Sequence, residues 1–502
     1  VTSTDRAAQG IHRSAGDLVA LFVGRFGGLA LNLLFLPLYD AALGPDLFGA
    51  VALVLSIQAF FLVFDFGFAS LLGTEAARAG NDPSVRAEVA ADWRLTERIL
   101  PATGLTAGMA AAFLWAVIPG GTPMVSSLDL LLVAMMVALM MQANAGQAVL
   151  NARVLYRFGS ALSLCAALGR GAAALVAIQL LGPDFTIFVA SQLAVVAVQQ
   201  RVMSWKLRQT LGPAGPRHGR LRPLLARLRP LMAYGLAGAL LMQVDKPLVG
   251  VFFSLEAAGR WFLAMTYALT PVALLAGPLH QYFFPRLAAA LGQSANALDI
   301  ARLFQLATVL AAAAPSAVLA WHAPLLVSIW LPHATDAAAI AALAQPMVAA
   351  AAIGAMGYLP TAYLVASGDR AWLAGLSWAM LACVVAGLLL AAANHNLPGL
   401  ALVYSLYHVA GCLFLWARML RTFPAPGSRR ALVGKAWLLP MAGCVVPVLA
   451  LLLLLDLRGV PAVVSLFAAS AAGALAMGSV ALGWWLRYRR SVFPSDNPTA
   501  FR

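Results

Sequence analysis

Five charged side chains lie well inside apolar stretches of this chain, away from their ends: Arg25, Asp65, Arg170, Asp245 and Lys246. A charge at the centre of a lone membrane helix costs about 2.5–3.5 kcal/mol on insertion scales, so each of the five is a candidate for ligand binding or ion handling. The arginines offer a planar fork of N–H donors that matches phosphate oxygens. Arg25 lies early in the first apolar segment and Asp65 late in the second, which sets them at matching depth, roughly 10 Å in at 1.5 Å per residue. Arg25 is thus a phosphate donor, or the partner of Asp65 in a lock, or a side chain snorkelling to the interface. Arg170, flanked by Gly169 and Gly171, is read as lining a cavity. Its small neighbours would leave room for a ligand or another helix, and pairing with a distant carboxylate such as Asp65 is the alternative. Asp245 and Lys246 are adjacent, so a regular helix points them about 100° apart and keeps them from simply neutralising one another. Asp245 is a candidate for taking up H+ or Na+; the alternative is a structural carboxylate.

Weaker candidates surround these five. Asn32, Gln58, Gln142, Asn144, Gln147, Gln243 and Gln281 can hydrogen-bond sugar hydroxyls, or join helix to helix. Pro271, Pro278 and Pro285 recur every seven residues and are expected to bend their helix, freeing carbonyls and suggesting a moving element. His280, near that bend, is a packed residue before it is a proton carrier. Trp115, Trp261, Trp330, Trp484 and Trp485 fall near the ends of apolar segments, where membrane-interface anchors sit. The chain has no Gly-Lys-Ser/Thr phosphate loop, His-Glu-x-x-His, Gly-x-Ser-x-Gly elbow or paired metal-ligand cysteines. No enzymatic activity, ATP hydrolysis or bound cofactor is expected. The energy for any transport must come from an H+ or Na+ gradient, the membrane potential or the substrate's own gradient.

The elements that position these residues follow from composition. Of 502 residues 62% are hydrophobic and only 10% charged, against about 25% charged in soluble domains. The composition excludes a soluble fold, and long Leu, Ala and Val runs exclude a barrel of alternating strands. The sequence predicts an all-α polytopic membrane protein. Its 14 or so apolar segments are 18–39, 48–72, 100–118, 128–150, 161–181, 185–205, 231–252, 259–283, 303–330, 337–366, 372–392, 398–418, 437–456 and 460–486. The ninth and tenth are overlong and interrupted by proline. Most of the 33 basic residues fall in alternate loops, which places those loops and both termini in the cytoplasm by the positive-inside rule. The net charge of +14 is therefore topological and attracted to anionic lipid, with no nucleic-acid partner. Residues 1–17 precede a span without a cleavage site and are read as leading into a retained first helix. Cys165, Cys383, Cys412 and Cys444 are read as packing residues, not disulfides.

The chain also repeats itself. Leu43-Gly44-Pro45-Asp46-Leu47-Phe48-Gly49 pairs with Phe253-Ser254-Leu255-Glu256-Ala257-Ala258-Gly259, 210 residues on, and Tyr156-Arg157-Phe158 pairs with Asp369-Arg370-Ala371. Six helices per repeat give two pseudo-symmetric bundles of the same orientation. The expected organisation is an N-terminal bundle at 1–205, a basic cytoplasmic linker at 206–230, a C-terminal bundle at 231–418, and two extra helices with a tail at 419–502.

Those motifs, with Phe64-Asp65-Phe66-Gly67, Asn151 to Gly159, Val244-Asp245-Lys246-Pro247-Leu248-Val249-Gly250 and Gly259-Arg260-Trp261, resemble the polysaccharide (O-antigen type) flippases of the multidrug, oligosaccharidyl-lipid and polysaccharide exporter (MOP) superfamily. The resemblance covers residues 14 to 420. It implies two six-helix bundles around a central cavity that opens alternately inward and outward. It also implies a bacterial inner-membrane flippase for a polyprenyl-diphosphate-linked oligosaccharide used in surface polysaccharide assembly, with a polymerase and chain-length machinery as possible partners. A cation-coupled multidrug exporter of the same superfamily is the alternative.

Overall fold

The computed structural model describes residues 27–492, apart from residues 29, 64–65, 80–81, 118–124, 154, 215–220, 292–293, 335 and 425–426. The protein is an all-α, multi-pass membrane protein. Ten helices among the described residues are long and apolar enough to cross a membrane. The other four predicted segments fall on α1 (Ala30–Leu43), on α2 (Pro45–Val63) with α3 (Phe68–Ala79), on the later part of α4 (Pro83–Val117), and on α8 (Leu221–Gln243) with α9 (Asp245–Phe252). The chain divides into two compact units, Val1–Phe262 and Leu263–Arg502.

In the first unit, α5 (Ser127–Ala152), α6 (Tyr156–Leu181) and α7 (Phe185–Leu211) follow α4. Their starts are written locally. Ser126 accepts from the Asp129 amide while the Asp129 carboxylate accepts from the Ser126 amide, a reciprocal cap on α5. Asp184 accepts from the Ile187 amide at 3.0 Å to open α7. Helices α4 and α5 pack along Gly104 and Gly108, where an added Cβ would lie 2.5 Å from Ala138 Cβ and 2.9 Å from Leu131 Cδ1. Without an aqueous driving force between apolar helices, such close backbone approach supplies the association. This Gly-x-x-x-Gly pattern adds a packing signal to the apolar periodicity.

Three of the predicted spans break just ahead of prolines, whereas 48–72 breaks where Phe66 and Gly67 take positive φ. The α8–α9 break at Val244 precedes Pro247. In the second unit, α11 (Ser294–Trp321) gives way to α12 (Ala323–Trp330) at His322, beside Pro324, and α13 (Ala337–Ala355) to α14 (Tyr358–Ala366) at Met356 and Gly357, ahead of Pro360. A proline has no amide to donate, and its ring crowds the carbonyl four residues back. The interruptions expected in the ninth and tenth segments are these two. Helix α10 (Leu255–Ala290), by contrast, continues through Pro271, Pro278 and Pro285.

The rest of the second unit comprises α15 (Arg370–Ala393), α16 (Leu397–Thr422), a π-helical segment (Arg430–Leu438), α17 (Leu439–Leu457) and α18 (Ala462–Val492). Its core forms where α11 meets α13 on one side and α17 and α18 on another. The small residues Ala312, Ala313 and Ala314 are buried there. Trp416 of α16 stacks on Trp437 of the π-helical segment at 4.8 Å, and its indole donates to the Met356 carbonyl at 2.9 Å.

Two expectations about packing need correction. Cys412 and Cys444 are buried, but Cys165 and Cys383 are exposed on their helices, because apolar neighbours in sequence do not say which face of a membrane helix turns inward. Trp261, expected at an interface, is fully buried because its indole has a partner inside the unit, described below.

Candidate functional site

Arg170 is half-buried on α6. The Tyr39 phenol of α1 lies within its electrostatic reach and shares a hydrogen bond with Gln192 of α7. Tyr39 also stacks at 6.0 Å on Phe35 and meets the Phe188 ring edge-on at 5.2 Å. Among the described residues no carboxylate pairs with Arg170. The glycines beside it have a packing role: a Cβ on Gly171 would lie 2.1 Å from Phe35 Cε2, and one on Gly169 3.3 Å from Val195. Of the two expectations for that space, the neighbouring helix fills it. The result is a half-buried cation beside a phenol that is itself hydrogen-bonded to an amide, an arrangement that suits an anionic oxygen ligand.

Asp245 and Lys246 contradict the expectation that they point apart. Lys246 Nζ lies 3.0 Å from Asp245 Oδ1, and Trp261 Nε1 donates to Asp245 Oδ2 at 2.6 Å. Asp245 is fully buried and Lys246 nearly so. The 100° rule fixes where the Cβ atoms point, and both residues lie in the first turn of α9. There the lysine stem is free to fold back onto the preceding carboxylate. Asp245 Oδ2 thus accepts a hydrogen bond, while Oδ1 faces the lysine ammonium as an ion pair.

The repeated motifs meet in space. Gly44, at φ +75°, ends α1 in the left-handed region that glycine tolerates, and Pro45 starts α2. At the matching position of the second repeat, Ser254 accepts from the Ala257 amide at 3.0 Å to cap α10. The two starts cross at their equivalent glycines. A Cβ on Gly49 would lie 2.0 Å from the Leu255 carbonyl oxygen, and one on Gly259 would lie 3.4 Å from Gly49 Cα. The sequence pairing of these glycines thus corresponds to backbone contact.

At the expected cytoplasmic end, Arg227 of α8 binds Glu75 of α3 at 2.5 Å and Asp92 of α4 at 2.6 Å. Burial alone would lower its pKa, but hydrogen bonds and charge from Asp92 and then Glu75 raise the guanidinium above its ordinary value. Part of the stretch expected to be a lipid-attracted linker is therefore ion-paired to the first unit.

Arg25 and Asp65 lie outside the described residues. Of the other candidates, Gln58 is buried and donates to Met136 Sδ at 3.6 Å, and Gln147 bonds Asn151 at 3.1 Å and accepts from Ser163. Asn32 is exposed. His280 packs among Phe284, Phe304 and Tyr358 with ring separations of 5.7, 6.3 and 5.7 Å, in line with its reading as a packed residue. No group of three metal-ligating side chains occurs among the described residues. Tyr39 and Gln192 escaped the sequence reading. Gln192, a buried amide in an apolar helix, was the signal available.

Residues 111–338 match the family described as "Polysaccharide biosynthesis protein". No curated protein matches the chain by sequence. Among solved structures, the lipid II flippase MurJ in an inward closed conformation is similar with a TM-score of 0.66 at 12% identity, over 94% of this chain and 99% of that one. A multidrug resistance MATE family transporter of the MOP superfamily, inward-facing, gives 0.61 at 15% identity over 79% and 96%. The Vibrio cholerae MATE transporter VcmN, in a mutant form, gives 0.58 at 13% over 83% and 99%. Likeness at this level of identity is a likeness of fold.

Proposed function

We propose, from the premise that this chain belongs with the polysaccharide-flippase-like proteins of the MOP superfamily, that it moves a polyprenyl-diphosphate-linked oligosaccharide across the bacterial inner membrane. The direction is from the cytoplasmic to the periplasmic leaflet, by alternating access, for surface polysaccharide assembly, with both termini in the cytoplasm. The observation that carries this reading is the match of residues 111–338 to polysaccharide biosynthesis proteins. Two further observations support it. The likeness to MurJ takes in 94% of the chain, whereas that to the MATE transporter takes in 79%. Arg170 is a half-buried cation without a carboxylate partner among the described residues, suited to a diphosphate; the exporter alternative needs an available carboxylate, and Asp245 is occupied by Lys246 and Trp261. Arg25 remains a candidate in the same role, with Asp65 either its partner or the carboxylate of the exporter alternative, and a polymerase with chain-length machinery would receive the product.

Deletion of the gene tests the reading. Loss of surface polymer with intact lipid-linked repeat units accumulating on the cytoplasmic leaflet, restored by the wild-type gene, is the expected result. Normal polymer with hypersensitivity to cationic drugs would instead establish the exporter. In the complemented strain, Arg170→Ala should lower polymer about tenfold or more, the equivalent of losing one charge-assisted contact of about 1.5–3 kcal/mol. Arg170→Lys, which keeps the charge but not the fork, should fall between. Wild-type polymer with the alanine variant at normal membrane levels would remove Arg170 from the binding role.

A further inference from the structure

The first compact unit runs on to Phe262 and so takes in α8, α9 and the start of α10. By the pairing of 43–49 with 253–259, these elements open the second repeat. The leading helix of one repeat is thus packed on the other, against α2 and α3. It is held at both ends, by different chemistry.

At the expected periplasmic end the hold is backbone on backbone, where the start of α10 crosses Gly49 of α2. At the expected cytoplasmic end it is ionic. Arg227 of α8 commits each terminal nitrogen to a different helix, Nη1 to Glu75 of α3 at 2.5 Å and Nη2 to Asp92 of α4 at 2.6 Å. A guanidinium fork facing one carboxylate binds it with both nitrogens; divided in this way, it ties α8 to two helices of the first repeat at once. The three side chains differ in exposure: Asp92 is 2% exposed, Glu75 20% and Arg227 37%. Asp92 Oδ1 is buried without a donor, so this carboxylate depends on the guanidinium at its other oxygen. A buried carboxylate that loses its cation must be hydrated or paired again. Hydration of Asp92 requires α8 to move away from α3 and α4, which makes the ion cluster and the seating of α8 one event.

We propose that Arg227, Glu75 and Asp92 form the latch of the cytoplasmic entrance. With the triad made, α8 closes the first unit toward the cytoplasm; the entrance opens when the triad parts while the outer crossing at Gly49 stays shut. The inference rests on alternating access, as in the reading above, but not on which amphiphile is carried.

A static brace would have the same distances, so movement separates the two. Leu228, next to Arg227, is fully buried, and Ala258, beside the outer crossing, is 1% exposed. Each is replaced in turn by cysteine in the full-length protein, with the exposed Cys165 and Cys383 changed to alanine. Labelling by a membrane-impermeant maleimide is then timed in proteoliposomes without substrate. Arg227→Ala should speed labelling at Leu228→Cys about tenfold, the shift expected from losing charge-assisted bonds that favour one of two states, and leave Ala258→Cys unchanged or slower. Arg227→Lys, which keeps the charge but not the fork, should fall between. Glu75→Gln, which leaves Asp92 its cation, should act in the same direction by less. Arg222→Ala, on the exposed start of α8, should change neither rate. Unchanged labelling at Leu228→Cys in Arg227→Ala and Glu75→Gln would make the triad a brace and overturn the proposal. Faster labelling at both reporters would show general loosening of the unit and overturn it as well. Neither result touches the identity of the substrate, which the deletion strain decides separately.

Discussion

Gly49→Ala is expected to reduce transport by well over tenfold, and Gly259→Ala by much less. The asymmetry follows from what each new methyl group would meet. At 49 the Cβ arrives 2.0 Å from the Leu255 carbonyl oxygen and 2.4 Å from its carbon, atoms that move only if the backbone of α10 moves. At 259 the nearest atom is Phe48 Cδ1 at 3.2 Å, and a ring can turn by a few tenths of an ångström. Overpacking against side chains ordinarily costs about 1–3 kcal/mol, and a collision with backbone stands at or beyond the top of that range. The check is surface polymer restored in a deletion strain at matched membrane levels, with thermal melting of the purified protein beside it. Equal losses at the two positions would contradict the packing described.

Asp245→Ala should cost about 3–5 kcal/mol of stability, the usual result of stripping the partner from a buried charge. The Lys246 side chain is only 7% exposed, so its ammonium is poorly placed to recover hydration, and the Trp261 indole also loses its bond to the carboxylate. The paired change Asp245→Asn with Lys246→Met leaves no buried charge and keeps an oxygen for Trp261, and should regain most of the melting temperature. Transport by that pair then separates two roles. A structural Asp245 predicts that activity returns with stability. An Asp245 that takes up H+ or Na+ as the coupling ion predicts a stable protein that does not transport.

The same pair shows where sequence reasoning reaches its limit. Hydropathy located the helices because 20-residue apolar runs have few other uses, and the repeat at 43–49 and 253–259 located a real crossing because helix starts are punctuated by glycine, proline and serine. Rotation about a helix axis is a different matter. Trp261 and Cys165 sit in apolar surroundings in sequence, yet one is buried and the other exposed, since lipid and protein interior are both apolar. Asp245 and Lys246 came together although both lie in the first turn of α9, because the long lysine stem spans the roughly 100° between them. Arg170 was legible as a buried cation, but its neighbours Tyr39 and Gln192 come from helices distant in sequence.

The stacked indoles of Trp416 and Trp437 give the second unit an optical signature. Two transitions 4.8 Å apart and inclined by 26° couple as an exciton pair, so the near-ultraviolet circular dichroism should carry a contribution that neither tryptophan has alone. One ring belongs to α16 and the other to the π-helical segment leading into α17, so the signal exists only while that segment is seated. Loss of the couplet ahead of the helical signal on heating would mark the last two helices as the first part of the second unit to detach.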